Sequence, residues 1–128
     1  QVICLDCNDY SLKFEPLNYL SVPVEETIEN CLKSWCCEEF LNEKEYYYCV
    51  HCNKKTPTKK KLDLCKIPQI LAIQLKRFRN NGTKINNFVS FETRGLDLKS
   101  ILPSINQKEA IYDLYAVVVS KYLIIKLK

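Results

Sequence analysis

Cys4-Leu5-Asp6-Cys7 and Cys49-Val50-His51-Cys52 are the two stretches on which the reading of this chain turns. A Cys-x-x-Cys turn points two sulfurs to one side, where its own backbone amides can hydrogen-bond to them, and two such turns complete the tetrahedral four-thiolate shell that zinc prefers. The predicted ligands are Cys4, Cys7, Cys49 and Cys52, holding one structural zinc ion. The 41 residues between Cys7 and Cys49 exceed the usual separation in a short zinc ribbon, so they must fold as an insertion that leaves the knuckles adjacent. The competing reading is a pair of buried or redox-active thiols, but a redox Cys-x-x-Cys normally opens a helix and both of these lie beside predicted strands. His51 falls between two cysteines, where side chains usually face solvent, and replaces a cysteine ligand only in a less economical arrangement. Four thiolates close the shell, so the metal should not activate water.

The bulk composition sets the frame. With 128 residues, 47% of them apolar, the chain can close one hydrophobic core, and one globular unit is expected. No apolar run is long enough to span a membrane, and Gln1-Val2-Ile3-Cys4 lacks the basic-then-apolar layout of a secretory signal. A soluble intracellular protein of the cytoplasm or nucleus, with no membrane partner, is expected. The net charge of +4 is too mild to imply a polyanion. Lys54, Lys55, Lys59, Lys60 and Lys61 do cluster, but lysine at an exposed strand edge also discourages aggregation, and aromatics are not interleaved with them as a stacking surface for nucleic acid requires. Nucleic acid is therefore not an expected partner. Cys31, Cys36, Cys37 and Cys65 sit in apolar or helical stretches that suit small buried residues.

Hydrophobic spacing predicts the elements. Tyr10–Phe14 and Leu17–Val24 read as short strands limited by Pro16 and Pro23. Thr27 is a helix N-cap, and Ile28, Cys31, Leu32 and Trp35 share one helical face, with the helix running to about Leu41. Tyr46–Tyr48 and Thr58–Leu64 are predicted to pair as a hairpin. Ile70–Phe78 reads as a strand buried on both faces, ended by a turn at Asn80-Asn81-Gly82. A short strand within residues 84–91, a helical turn at Leu96–Leu102 stopped by Pro103, a core strand at Tyr112–Ser120 and a final strand at Tyr122–Lys128 complete the prediction.

Read in order, these segments resemble the ubiquitin-specific protease family. The resemblance is carried by Cys4-x-x-Cys7 with Ser11 and Glu15, Leu20-Ser21-Val22-Pro23, Cys31-Leu32-Lys33, Tyr47-Tyr48-Cys49-Val50-His51-Cys52, Lys60-Lys61-Leu62-Asp63-Leu64, Ile67-Pro68-Gln69-Ile70-Leu71, Leu75-Lys76-Arg77-Phe78, Phe88-Val89-Ser90-Phe91, Leu96-Asp97-Leu98 and Tyr112–Val117. It implies an α+β fold: mainly antiparallel β fingers with a four-cysteine zinc ribbon, plus part of a papain-like palm. About 1–66 would be the fingers with one helix, and about 67–128 palm strands. It further implies a thiol protease that hydrolyses the bond after the C-terminus of ubiquitin. Ubiquitin or a ubiquitinated protein, and the remainder of the catalytic domain, would be the partners. Tyr46, Phe78 and Arg79 would lie on the ubiquitin side, although cross-strand packing accounts equally for Tyr46, and the end of a core strand for Phe78.

The same resemblance shows what this stretch does not contain. The family's nucleophile lies in an Asn-x-Gly-x-Thr-Cys-type box, and its histidine in a Gly-His-Tyr motif after the strand matching Tyr112–Ser120; neither occurs here. Thiol protease chemistry needs an imidazole beside the thiol, and the single histidine is His51, inside the second knuckle. No catalytic residue is therefore assigned, whether the chain is enzymatic is left open, and the chain alone is expected to be inactive. It is read as part of a protease supplying ubiquitin grip. The alternative is a non-catalytic ubiquitin-binding or scaffold relative that keeps the zinc ribbon.

Overall fold

A computed structural model of the chain describes residues 1–102, 110–119 and 123–128. Pro103, Ser120 and Tyr122, which bound three of the predicted elements, lie outside them. In chain order the elements are β1 (Val2–Cys4), β2 (Tyr10–Ser11), β3 (Leu20–Val22), α1 (Ile28–Trp35), β4 (Glu39–Phe40), β5 (Tyr47–Cys49), β6 (Lys54–Thr56), β7 (Thr58–Lys60), β8 (Leu71–Leu75), β9 (Leu96–Asp97), α2 (Leu98–Ile101), β10 (Ile111–Tyr112), β11 (Leu114–Val119) and β12 (Leu123–Leu127), with a 3-10 turn at Glu43–Glu45. The fold is α+β. Every strand pair is antiparallel except β3 with β8.

The chain divides into two compact units, in place of the single unit expected. Unit 1 joins Gln1–Pro16 to Cys36–Asp63; unit 2 joins Leu17–Trp35 to Leu64–Lys128. Helix α1 belongs with the later strands, because its buried face, Ile28, Cys31 and Leu32, is apolar and unit 2 is where the aliphatic residues gather.

Unit 1 holds a four-stranded sheet in the order β2-β1-β7-β4 and the separate β5-β6 hairpin. The expected pairing of Tyr46–Tyr48 with Thr58–Leu64 is corrected here: β5 pairs with β6, Tyr47 opposite Thr56 and Cys49 opposite Lys54, while β7 pairs with β1 and β4. Pro57 stands between β6 and β7; it has no N–H to donate, and the ladder changes partner there. The strand expected over Tyr10–Phe14 is only Tyr10–Ser11, since β1 offers it two paired residues and Leu12 and Phe14 are exposed.

Unit 2 is built on a sheet in the order β11-β12-β8-β3. In β8, Leu71, Ile73 and Leu75 are buried and Ala72 and Gln74 half-exposed, so the strand has one core face, where two buried faces were expected. Leu17–Val24 shortens to β3. Thr27 caps α1 as expected: its hydroxyl oxygen accepts the Asn30 N–H at 3.1 Å and its carbonyl the Cys31 N–H at 3.0 Å. The helix stops at Trp35 instead of reaching Leu41, because Glu39 and Phe40 pair with β7. Residues 84–91 form no regular strand, only the bridges of Lys84 with Phe78 and Ser90 with Thr27. The helical turn is α2, capped by the Asp97 carboxylate on the Lys99 N–H at 2.9 Å. The expected core strand is two pieces, β10 and β11, and β11 lies at the sheet edge with Tyr115, Val117 and Val118 exposed. The central place between β11 and β8 is taken by β12.

Candidate metal centre

Two tight turns bring four sulfurs together. The first follows β1: the Cys4 N–H donates to the Asp9 carbonyl at 2.8 Å and the Asn8 N–H to the Cys4 carbonyl at 2.9 Å. The second joins β5 to β6 and carries an N–H bond from Cys52 to Cys49 Sγ at 3.4 Å. Each knuckle is followed by an asparagine in the left-handed region, Asn8 at φ 61° and Asn53 at φ 53°, a conformation that asparagine tolerates better than most residues. The Tyr48 hydroxyl bonds to the Asn53 side-chain oxygen, tying β5 to the exit of its own turn. The Leu5 N–H donates to the Pro57 carbonyl at 2.9 Å, and Lys54 pairs with Asp6 at 2.8 Å, both joining the first knuckle to β6 and the residue after it.

The sulfurs of Cys4, Cys7, Cys49 and Cys52 all lie within 4.8 Å of one another. The pairs across the knuckles are close, Cys4 to Cys52 at 3.8 Å and Cys7 to Cys49 at 3.6 Å. A tetrahedral ion with bonds of about 2.3 Å to sulfur sets its ligands roughly 3.8 Å apart, so the donor set fits a thiolate-bound metal. Cys4 and Cys49 are buried, Cys7 and Cys52 half-buried. His51 is exposed and is not in the set.

The electrostatics are uneven. The Thr56 hydroxyl, 3.2 Å from Cys4 Sγ, pulls that thiol down to about 6 against the opposing effect of burial. Cys52 is pushed far up, first by its hydrogen bond with Cys7 and then by burial, because a second negative sulfur is costly beside the first. A divalent cation eases that conflict by offsetting part of the cluster's negative charge. Thr56 is fully buried, and nothing in its sequence position announces it; the pairing of β1 with β7, which sets Cys4 opposite Thr58, brings it to Cys4 Sγ.

Cys31 and Cys36 are not activated thiols, and Cys37 and Cys65, expected to be buried, are exposed. The Glu25 N–H bonds to the buried Cys31 Sγ at 3.3 Å, and burial pushes the Cys31 thiol up. Burial, with Asp63 nearby, pushes Cys36 up to about 11. Both therefore stay protonated near neutral pH, unlike an activated nucleophile.

Tyr46 is half-buried in unit 1, between the 3-10 turn and β5. Phe78 and the exposed Arg79 are in unit 2, at a turn where the Gly82 N–H donates to the Arg79 carbonyl at 2.9 Å and Gly82 supplies the φ of 79°. Arg77, not singled out from the sequence, holds this segment, donating to the carbonyls of Ile85 at 3.2 Å and Asn87 at 2.7 Å. Of the clustered lysines, Lys54, Lys59 and Lys61 are ion-paired, to Asp6, Glu38 and Asp63. Among the described residues no helix is long and apolar enough to cross a membrane.

This architecture, a four-cysteine knuckle pair on short antiparallel strands in a chain that also holds an α+β unit, defines a zinc-ribbon-like class. Comparison with known proteins narrows it: the profile of the family described as "Ubiquitin carboxyl-terminal hydrolase" matches residues 18–121. Human ubiquitin carboxyl-terminal hydrolase 3 is 33% identical over 141 aligned residues, covering 93% of this chain and 27% of the relative. Chicken ubiquitin carboxyl-terminal hydrolase 2 is 35% identical over 123, covering 89% and 34%. Among solved structures, the chain is similar to one of the SAGA Ubp8/Sgf11/Sus1/Sgf73 DUB module bound to ubiquitin aldehyde, with a TM-score of 0.69 and 27% identity, covering 98% of this chain and 31% of that one. A second structure of that module, bound to monoubiquitin, gives 0.73 and 29%, covering 98% and 30%. The chain belongs to the ubiquitin carboxyl-terminal hydrolase family. It spans about a third or less of the length of these relatives.

Proposed function

We propose that this chain is the ubiquitin-gripping portion of a deubiquitinating thiol protease, with a structural zinc ion held by Cys4, Cys7, Cys49 and Cys52. The observation that carries it is the convergence of the four sulfurs in a chain that matches the family over residues 18–121. On this reading about 1–66 is the fingers with one helix and about 67–128 palm strands, and the protein works inside the cell without nucleic acid or membrane as partner. Tyr46, Phe78 and Arg79 face ubiquitin. The complete protease hydrolyses the bond after the ubiquitin C-terminus with residues that this chain does not supply, and the chain alone is inactive. The raised thiols of Cys31 and Cys36 support that inactivity.

The test pairs two measurements on the zinc-loaded chain: nuclear magnetic resonance titration of labelled ubiquitin, and release of a fluorescent amine from the ubiquitin C-terminus. Shifted ubiquitin signals, weakened several-fold by Arg79→Glu, with no release, are expected. Unshifted signals would refute the grip, and release would refute the inactivity.

A second reading, a non-catalytic ubiquitin-binding or scaffold relative, is favoured by β12. The run Leu123–Leu127 lies beyond the matched residues, bears no histidine and yet fills the sheet between β11 and β8. Cysteine and histidine boxes in the sequence flanking this chain, with hydrolysis by the complete protein, would exclude it.

A further inference from the structure

The buried polar residues set apart the two knuckles. Only Thr56 and Thr58 are buried polar side chains among the described residues, and both stand beside the four sulfurs' strands rather than in the apolar unit. Their hydroxyls have different employment. The Tyr47 N–H donates to Thr58 Oγ1 at 3.2 Å, and the Thr58 hydroxyl donates in turn to the Thr56 carbonyl at 2.7 Å. That chain holds the bend between β6 and β7 and fixes the backbone of Thr56. The Thr56 hydroxyl itself lies 3.2 Å from Cys4 Sγ, across 52 residues of sequence.

A metal-bound thiolate has no proton, so in the loaded site the hydrogen of this bond comes from Thr56. Valine has nearly the same shape, and a hydroxyl shut away from water is retained at a cost unless it is bonded. Cys49 has a donor of its own kind, the Cys52 N–H. Cys4, on which the backbone N–H groups of Cys7 and Asp6 also act, has a side-chain partner in addition, delivered from the strand that follows the second knuckle.

We infer that Thr56 is a positioning residue of the metal centre, whose hydroxyl donates to the Cys4 thiolate, orients it toward the ion and tempers its charge. The inference rests on the reading of the four cysteines as a metal site and adds a fifth residue to it. Outer-shell partners of this sort are typically worth about 10–100-fold in metal affinity.

The experiment compares the full chain with Thr56→Val and Thr56→Ser, in competition with a chromophoric chelator for Zn(II) and by the thiolate-to-metal absorption of the Co(II) form. Thr56→Val should bind Zn(II) about 10–100-fold more weakly and move the Co(II) band to lower energy, because a thiolate relieved of its hydrogen bond is a stronger electron donor. Thr56→Ser should keep both close to wild type. Wild-type affinity and an unmoved band in Thr56→Val would overturn the proposal, as would Thr56→Ser behaving like Thr56→Val, which would assign the effect to the fit of the threonine side chain and not to its hydroxyl. A Thr56→Val chain that stays unfolded in saturating Co(II) would likewise assign Thr56 to packing. A wild-type chain with no tetrahedral thiolate spectrum would overturn the metal centre, and this proposal with it.

Discussion

Units 1 and 2 solve the same folding problem with different materials. Apart from Cys31, the buried side chains described in unit 2 are aliphatic or aromatic, among them Leu20, Val22, Ile28, Leu32, Ile73, Leu75, Leu98, Tyr112 and Ile125. In unit 1 the buried residues are Cys4, Cys49, Thr56 and Thr58, with no aliphatic side chain among them. A unit made of two short segments is close to the limit of about 40 residues below which burial alone rarely offsets chain entropy. Unit 2 is held by the hydrophobic effect; unit 1 requires a cross-link, and the four sulfurs are positioned to supply it.

Removing the metal should give the largest effect. Structural zinc contributes roughly 10 kcal/mol or more of apparent folding free energy in small sites. A strong chelator, or Cys49→Ser, should therefore abolish hydrogen-exchange protection in β5, β6 and β7 while leaving β8 and β12 protected. Unchanged protection in unit 1 would erase the contrast, and so would equal loss in both units. Next in size is Ile73→Ala, at a site with no exposure, which should cost unit 2 about 2–5 kcal/mol in denaturant unfolding with no change in Co(II) absorption. Thr27→Ala removes one capping bond and should cost about 1 kcal/mol, again in unit 2 alone. Smallest is Lys54→Ala, which breaks a largely exposed ion pair between the knuckles. It should weaken unit 1 by less than about 1 kcal/mol, an effect that disappears in high salt.

The same contrast explains what the sequence disclosed. Cys-x-x-Cys spacing is local and chemically specific, so the donor set was legible; so were the Thr27 cap and the apolar face of α1, whose partners lie within a few residues. The pairing of β5 with β6 was not, because adjacency of strands depends on Pro57 interrupting the ladder, and hydrophobic spacing carries no sign of that. Nor was the edge position of β11, since Tyr115, Val117 and Val118 have the β-propensity of a core strand and are exposed. The end of α1 at Trp35 was set by the competing sheet of unit 1. Thr56 and Arg77 were illegible for one reason: each acts on a partner that only the folded chain brings near, Cys4 in one case and the carbonyls of Ile85 and Asn87 in the other.

The place of β12 sets a timetable. β3 and β8 can pair as soon as both have been synthesised, but the edge of β8 that receives Ile124 to Leu127 stays open until the ribosome has made them. At about 5–20 residues per second, the stretch from Leu75 to Leu123 keeps that edge exposed for roughly 2–10 seconds. During that interval a half-built sheet with Leu71, Ile73 and Leu75 on one face is a template for any passing strand. The nascent chain is thus most vulnerable to misassociation in the seconds before its central strand arrives.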